Sequence, residues 1–176
     1  TVAMPAGVVN SEIEINTSGT LTLDNEIGVI ALATGGAGVI DINADGGITV
    51  ATPNNSFAEL STTGAIDLDT NNTAIGSSTN RVQIVAGYAG ELTVETLGGS
   101  AFLGGLGALN ISTTNTGAGN LNIGASGAIT DSGVLTVGGT TTLAAGAPNN
   151  ITLNTATTDF TGAVGITSGN DVTLVD

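Results

Sequence analysis

Cysteine, histidine, lysine and tryptophan are all absent from this 176-residue chain. Without cysteine there is no disulfide framework and no iron–sulfur cluster, and with histidine gone as well the usual ligands of zinc are missing. One basic residue, Arg81, stands against fifteen acidic ones, for a formal net charge of −14. Such a chain repels phosphate and anionic lipid, which argues against nucleic acid and membrane surfaces as partners. No hydrophobic run approaches the ~18 residues that a transmembrane helix needs, so no membrane insertion is expected. Aromatic residues make up only 2% of the chain. Its core must therefore be filled by small aliphatic side chains, which suits a narrow, uniform interior.

Hydrophobic residues nevertheless reach 40%, and they recur at fixed phase, unlike those of a disordered acidic segment. An aliphatic–polar–aliphatic unit returns along the whole chain, as Leu21-Thr22-Leu23, Ile40-Asp41-Ile42, Ile48-Thr49-Val50, Ile66-Asp67-Leu68, Val82-Gln83-Ile84 and Leu92-Thr93-Val94. It continues as Leu109-Asn110-Ile111, Leu121-Asn122-Ile123, Leu135-Thr136-Val137, Ile151-Thr152-Leu153 and Val172-Thr173-Leu174. Alternation of this kind places the aliphatic pair on one face of a strand and the polar residue on the other. Glycine and β-branched residues dominate and no 3.6-residue period persists, which excludes a helical protein.

The stronger units are roughly 16 to 21 residues apart. That spacing predicts an all-β chain: a right-handed parallel β-helix (β-solenoid) of about nine coils, each of about 20 residues. With strands stacked about 4.8 Å apart, the rod would be on the order of 40 Å long. An antiparallel sandwich stays open as the alternative, although its hairpins would show cleaner two-residue turns. Residues 1–176 read as a single solenoid segment. The opening Thr1-Val2-Ala3-Met4 lacks a Met-first signal, so an internal part of a longer polypeptide is expected.

Candidate sites are few. Asp67-Leu68-Asp69-Thr70-Asn71 copies the first five positions of a calcium loop, making Asp67, Asp69 and Asn71 a candidate Ca²⁺ set. Asn72 then replaces the required glycine and Ser78 the bidentate glutamate, so a surface turn is the better reading. Glu12 with Glu14, Asp41 with Asp45, and Asp67 with Asp69 are carboxylate pairs of the kind used in acid–base chemistry. No basic or aromatic platform accompanies them to hold a sugar, and no catalytic residue or cofactor is expected. Gly35-Gly36-Ala37-Gly38 lacks the lysine and following helix of a phosphate loop and reads as a tight corner. Val8-Val9 suggests an early strand. Phe57 and Leu60 suggest a capping contact, and Gly98–Gly107 a flexible corner carrying Phe102. Tyr88 is expected to pack under a loop, and Arg81 to meet an acidic neighbour on the next turn. Outward Thr22, Thr49, Thr93, Thr136, Thr152 and Thr173 suggest an ice-binding array, but Asp, Asn or Gln takes the central place as often.

The run Ser126-Gly127-Ala128-Ile129-Thr130-Asp131-Ser132-Gly133-Val134-Leu135-Thr136-Val137-Gly138-Gly139-Thr140-Thr141-Thr142-Leu143, with Asn150-Ile151-Thr152-Leu153 and Asp159-Phe160-Thr161-Gly162-Ala163-Val164, resembles the repeats of filamentous-haemagglutinin-like bacterial exoproteins. The resemblance implies a β-helical shaft, exported by two-partner secretion or as an autotransporter passenger and folded outside the cell. It further implies an adhesin at the bacterial cell surface, serving attachment, aggregation or biofilm cohesion. The partners implied are other segments of the same exoprotein, copies of itself, or a host or neighbouring-cell surface. A self-assembling extracellular filament is the alternative. No Arg-Gly-Asp triplet is present, and the scarcity of basic residues speaks against sulfated glycans.

Overall fold

In the computed structural model, the described residues are 2–3, 11–25, 30–53 and 56–176; Val8-Val9 lies outside them. The repeated units form short strands whose burial alternates as the sequence does. In Ile66–Asp69 the two aliphatic residues are fully buried and the two aspartates half-buried, and Leu92–Glu95 repeats the pattern. No helix forms among the described residues.

Every strand pairs in parallel with a strand from the next turn of the chain, which makes a β-solenoid. The first face holds eight strands: Val2–Ala3, Leu32–Ala33, Leu60–Ser61, Val82–Ile84, Ala101–Gly105, Leu121–Ala125, Thr141–Ala144 and Val164–Ser168. The second holds seven: Glu12–Thr17, Val39–Ala44, Ile66–Asp69, Leu92–Glu95, Thr113–Gly117, Leu135–Val137 and Asp159–Phe160. Seven strands in register mark six full turns, not nine. At about 4.8 Å per turn these occupy about 30 Å, shorter than the rod expected.

The overcount has a physical cause: the turns are not of one length. On the second face Ile13 pairs Ile40, Ile40 pairs Ile66 and Ile66 pairs Leu92, so each turn there advances the chain by about 26 residues. Further on, Thr93 pairs Thr113, Thr114 pairs Leu135 and Thr136 pairs Asp159, and the advance shortens to about 21 residues.

The third side also changes place. In the wide turns it follows the second face, as Leu21–Leu23 paired to Ile48–Val50 and prolonged by the bridges Ile48 to Ile75 and Ile75 to Ala101. In the narrow turns it precedes the second face, as Leu109–Ile111, Ile129–Asp131, Ile151–Leu153 and Val172–Leu174. The strand Ala101–Gly105 is the joint. Ala101 ends the old third side on Ile75, while Leu103–Gly105 pairs Val82–Ile84 of the first face. The stretch read as a flexible corner around Phe102 is therefore a central strand. Its glycines are accommodated because Gln83 lies across Gly104, where a Cβ would come within 1.9 Å of the Gln83 amide oxygen.

One hydrophobic cluster runs from Ile13 to Phe160 through both kinds of turn. A single turn cannot cover its inward side chains; stacked turns bury each Leu, Ile or Val for about 1.5–3 kcal/mol before entropy is subtracted. Leu60 belongs to this column, and Phe57, 38% exposed, lies outside it. Tyr88 is buried as expected, its hydroxyl donating to the Glu91 carbonyl at 2.6 Å.

Candidate functional site

The outer side of the second face gathers seven of the fifteen carboxylates: Glu12, Glu14, Asp41, Asp67, Asp69, Glu95 and Asp159. Strand register stacks Glu14 on Asp41 and Asp41 on Asp67 in one column, and Asn16, Asn43, Asp69, Glu95 and Asn115 in the next. Neighbours in a column are about 4.8 Å apart along the axis. No Lys or Arg occurs in these strands. Amides supply what relief there is: the Asn16 Nδ2 donates to Glu14 at 2.6 Å and the Asn115 Nδ2 to Glu95 at 3.3 Å. The Asp67 Oδ1 is buried and accepts no hydrogen bond.

Proton affinities follow from this crowding. Burial, reinforced by the charges of Asp41 and Glu95, pushes the Asp67 carboxyl above its ordinary value. Burial first, then Asp67, Glu95 and Asp41, push Asp69 up to about 6. The ladder can therefore hold protons near neutrality. A depression of about 300 Å³ beside it is lined by Asn43, Asp45, Asp69, Thr70, Asn71, Glu95 and Leu97. It contains no basic residue.

Asp67 and Asp69 lie in the strand Ile66–Asp69, not in the surface turn expected for them. Asn71 follows at the corner. Thr70 between them turns inward, 3% exposed, and its hydroxyl donates to the Thr73 carbonyl at 2.6 Å. An extended strand keeps its two aspartates parallel, whereas a calcium loop wraps its ligands around a centre. Among the described residues no three acidic side chains converge on a metal position. Glu12 and Glu14 are exposed on the same face, and Asp41 stacks on Asp67 while Asp45 sits at a corner. Gly36 and Gly47 take φ of 60° and 99° at tight corners.

The first face is different in kind, since its strands carry no acidic residue. Arg81 reaches along it to Asn122, two turns on, where Nε and Nη2 donate to Oδ1 at 3.2 and 2.6 Å. The guanidinium crosses Gly124 so closely that a Cβ there would lie 2.8 Å from Nη1. Outward threonines pair as the repeat suggested: Thr22 and Thr49 hydroxyls lie 3.0 Å apart, and Thr130 donates to Asn110 at 2.9 Å.

Two features escape sequence reasoning. Thr70, Thr96 and Thr116 are buried at equivalent corners, each hydroxyl donating to a carbonyl three residues ahead; the signal was the recurrence of Thr-x-x-Gly at Thr96 and Thr116. The other is Glu59, 1% exposed, which accepts hydrogen bonds from the Asn25 Nδ2 at 2.6 Å and from the Gln83 N–H. Burial pushes its carboxyl up to about 7 against the pull of the Gln83 N–H. Nothing in Ala58-Glu59-Leu60 announces a buried acid.

A family model described as Repeats of unknown function (DUF5649) matches residues 63–167, more than half of the chain. No curated protein and no solved structure matches it.

Proposed function

The chain belongs to that family of repeats, and from this premise we propose that it is a structural shaft of a secreted or surface-exposed bacterial adhesin, supporting attachment, aggregation or biofilm cohesion. The observation that carries the reading is the aliphatic column from Ile13 to Phe160, sheathed by polar ladders. Material of this kind sets distance and stiffness; a quasi-one-dimensional stack adds length turn by turn.

The test is replacement in the full-length protein on its own cells. Deleting whole turns is expected to reduce attachment while export and display persist, and an unrelated β-solenoid of equal length is expected to restore it. Attachment that survives the deletion, or that only the native turns restore, would overturn the reading.

A further inference from the structure

The wide turns contain residues that the narrow ones lack, and some of these lie over the outer side of the first face. Asn25 follows the strand Leu21–Leu23 and Thr52 follows Ile48–Val50. Asn25 is fully buried; its Nδ2 donates to Glu59 Oε1 at 2.6 Å and to the Phe57 carbonyl at 3.2 Å, and its Oδ1 accepts the Thr52 hydroxyl. The second oxygen of Glu59 accepts the backbone N–H of Gln83 in the strand Val82–Ile84. One carboxyl group thus ties together segments from successive wide turns. In the narrow turns the corresponding outer positions are Gly104, Gly124 and Ala144, with nothing to fasten.

We propose that Glu59 is a proton-operated clasp: uncharged, it holds the layer carrying Asn25 and Thr52 against the first face, and charged, it lets that layer loosen. A carboxylate buried among amides is costly unless an ion pairs with it. Among the described residues no other charge contributes to setting its proton affinity, which burial raises. The charged residues nearest to its partners in sequence are Asp24 and Glu26, on either side of Asn25, and Arg81, two residues before Gln83. Asp24 and Glu26 are of the wrong sign, and Arg81 extends along the rod to Asn122.

The sign follows from linkage. Glu59 is raised from 4.5 to about 7 on folding, so its contribution is complete below about pH 4.5 and is lost as pH rises through about 7. The clasp is independent of the shaft reading, because it concerns one layer of the wide turns whatever the rod carries.

Two measurements on the whole chain test it. In the first, the side-chain carboxyl carbon of Glu59 is followed by NMR in the unaltered protein, with Glu59→Gln identifying the signal. A midpoint near 7 is expected, and a midpoint at the ordinary glutamate value would overturn the clasp. In the second, hydrogen exchange is compared between about pH 5.5 and pH 8.5, corrected for intrinsic rates. Protection of residues 51–53 and 82–85 is expected to fall at least about tenfold in the unaltered protein, and to stay level in Glu59→Gln. Residues 121–153 serve as the internal reference. Equal pH dependence with and without the carboxyl, or an equal fall in the reference turns, would overturn the proposal. The titration stands even if Glu59→Gln loosens the fold, since its midpoint is read on the native side chain.

Discussion

The wide turns, through about residue 100, and the narrow turns after it share one core and differ in almost everything outside it. Both bury Leu, Ile and Val in register. The wide turns carry the stacked carboxylates, the buried Glu59 and a polar layer over the first face. The narrow turns, shorter on the same face, fill their outer columns mainly with Thr, Asn and Gly, with Asp131 and Asp159 as isolated carboxylates. The comparison teaches that the repeat keeps its inward spacing and leaves length and charge free, as nearest-neighbour stacking allows. It also locates the cost of the chain's acidity in one half.

The joint between the halves is the first place to break this picture. Leu103 is fully buried in the strand that serves both layouts. Leu103→Ala is expected to remove about 2–5 kcal/mol of stability and to split unfolding into two transitions. Urea unfolding followed by circular dichroism checks this; a single transition with a small loss would mean that the halves are not joined there.

A smaller effect distinguishes the halves by charge. Asp67 and Asp69 have folded values above the 3.8 of a free aspartate, Asp69 at about 6. The favourable contribution of Asp69 is therefore present below about pH 4 and disappears as pH rises through about 6, and that of Asp67 is lost in the same direction. The thermal midpoint should be higher at pH 5 than at pH 8, with part of that slope removed in Asp69→Asn. A midpoint that climbs with pH would contradict the assignment.

The smallest effect belongs to the outer ladders. Thr22→Ala in the wide turns and Thr130→Ala in the narrow ones should each change stability by no more than about 0.5 kcal/mol. Their hydroxyls, exposed at Thr22 and half-buried at Thr130, exchange readily for water. A much larger loss in either half, measured by the same urea titration, would make the ladders part of the framework.

What the sequence made legible was the alternation. Leu92-Thr93-Val94, Leu121-Asn122-Ile123 and their counterparts are strands, with aliphatic residues inside and the polar residue outside. Turn length was less legible, because the wide turns add residues between strands, such as 24–25, 30–31, 51–53 and 56–59, that carry no periodic signal. Glycine misled at Gly104, since a missing side chain reads as a corner but here leaves room for Gln83 from the preceding turn. The carboxylates of Asp67 and Asp69 were singled out from a loop motif. Their setting, a stack with Asp41 and Glu95, depends on which residues lie one full turn away in either direction, and no local pattern supplies that.

The central claim is a parallel stack whose period changes at Ala101–Gly105, and through-space NMR between backbone protons tests it most directly. The account predicts the long period on the second face before that strand, with cross-strand contacts such as Ile40 with Ile66 and Ile66 with Leu92. After it the short period is predicted, with contacts such as Thr93 with Thr113 and Thr114 with Leu135. One uniform separation along the chain, or contacts in the order of antiparallel strands, would contradict it.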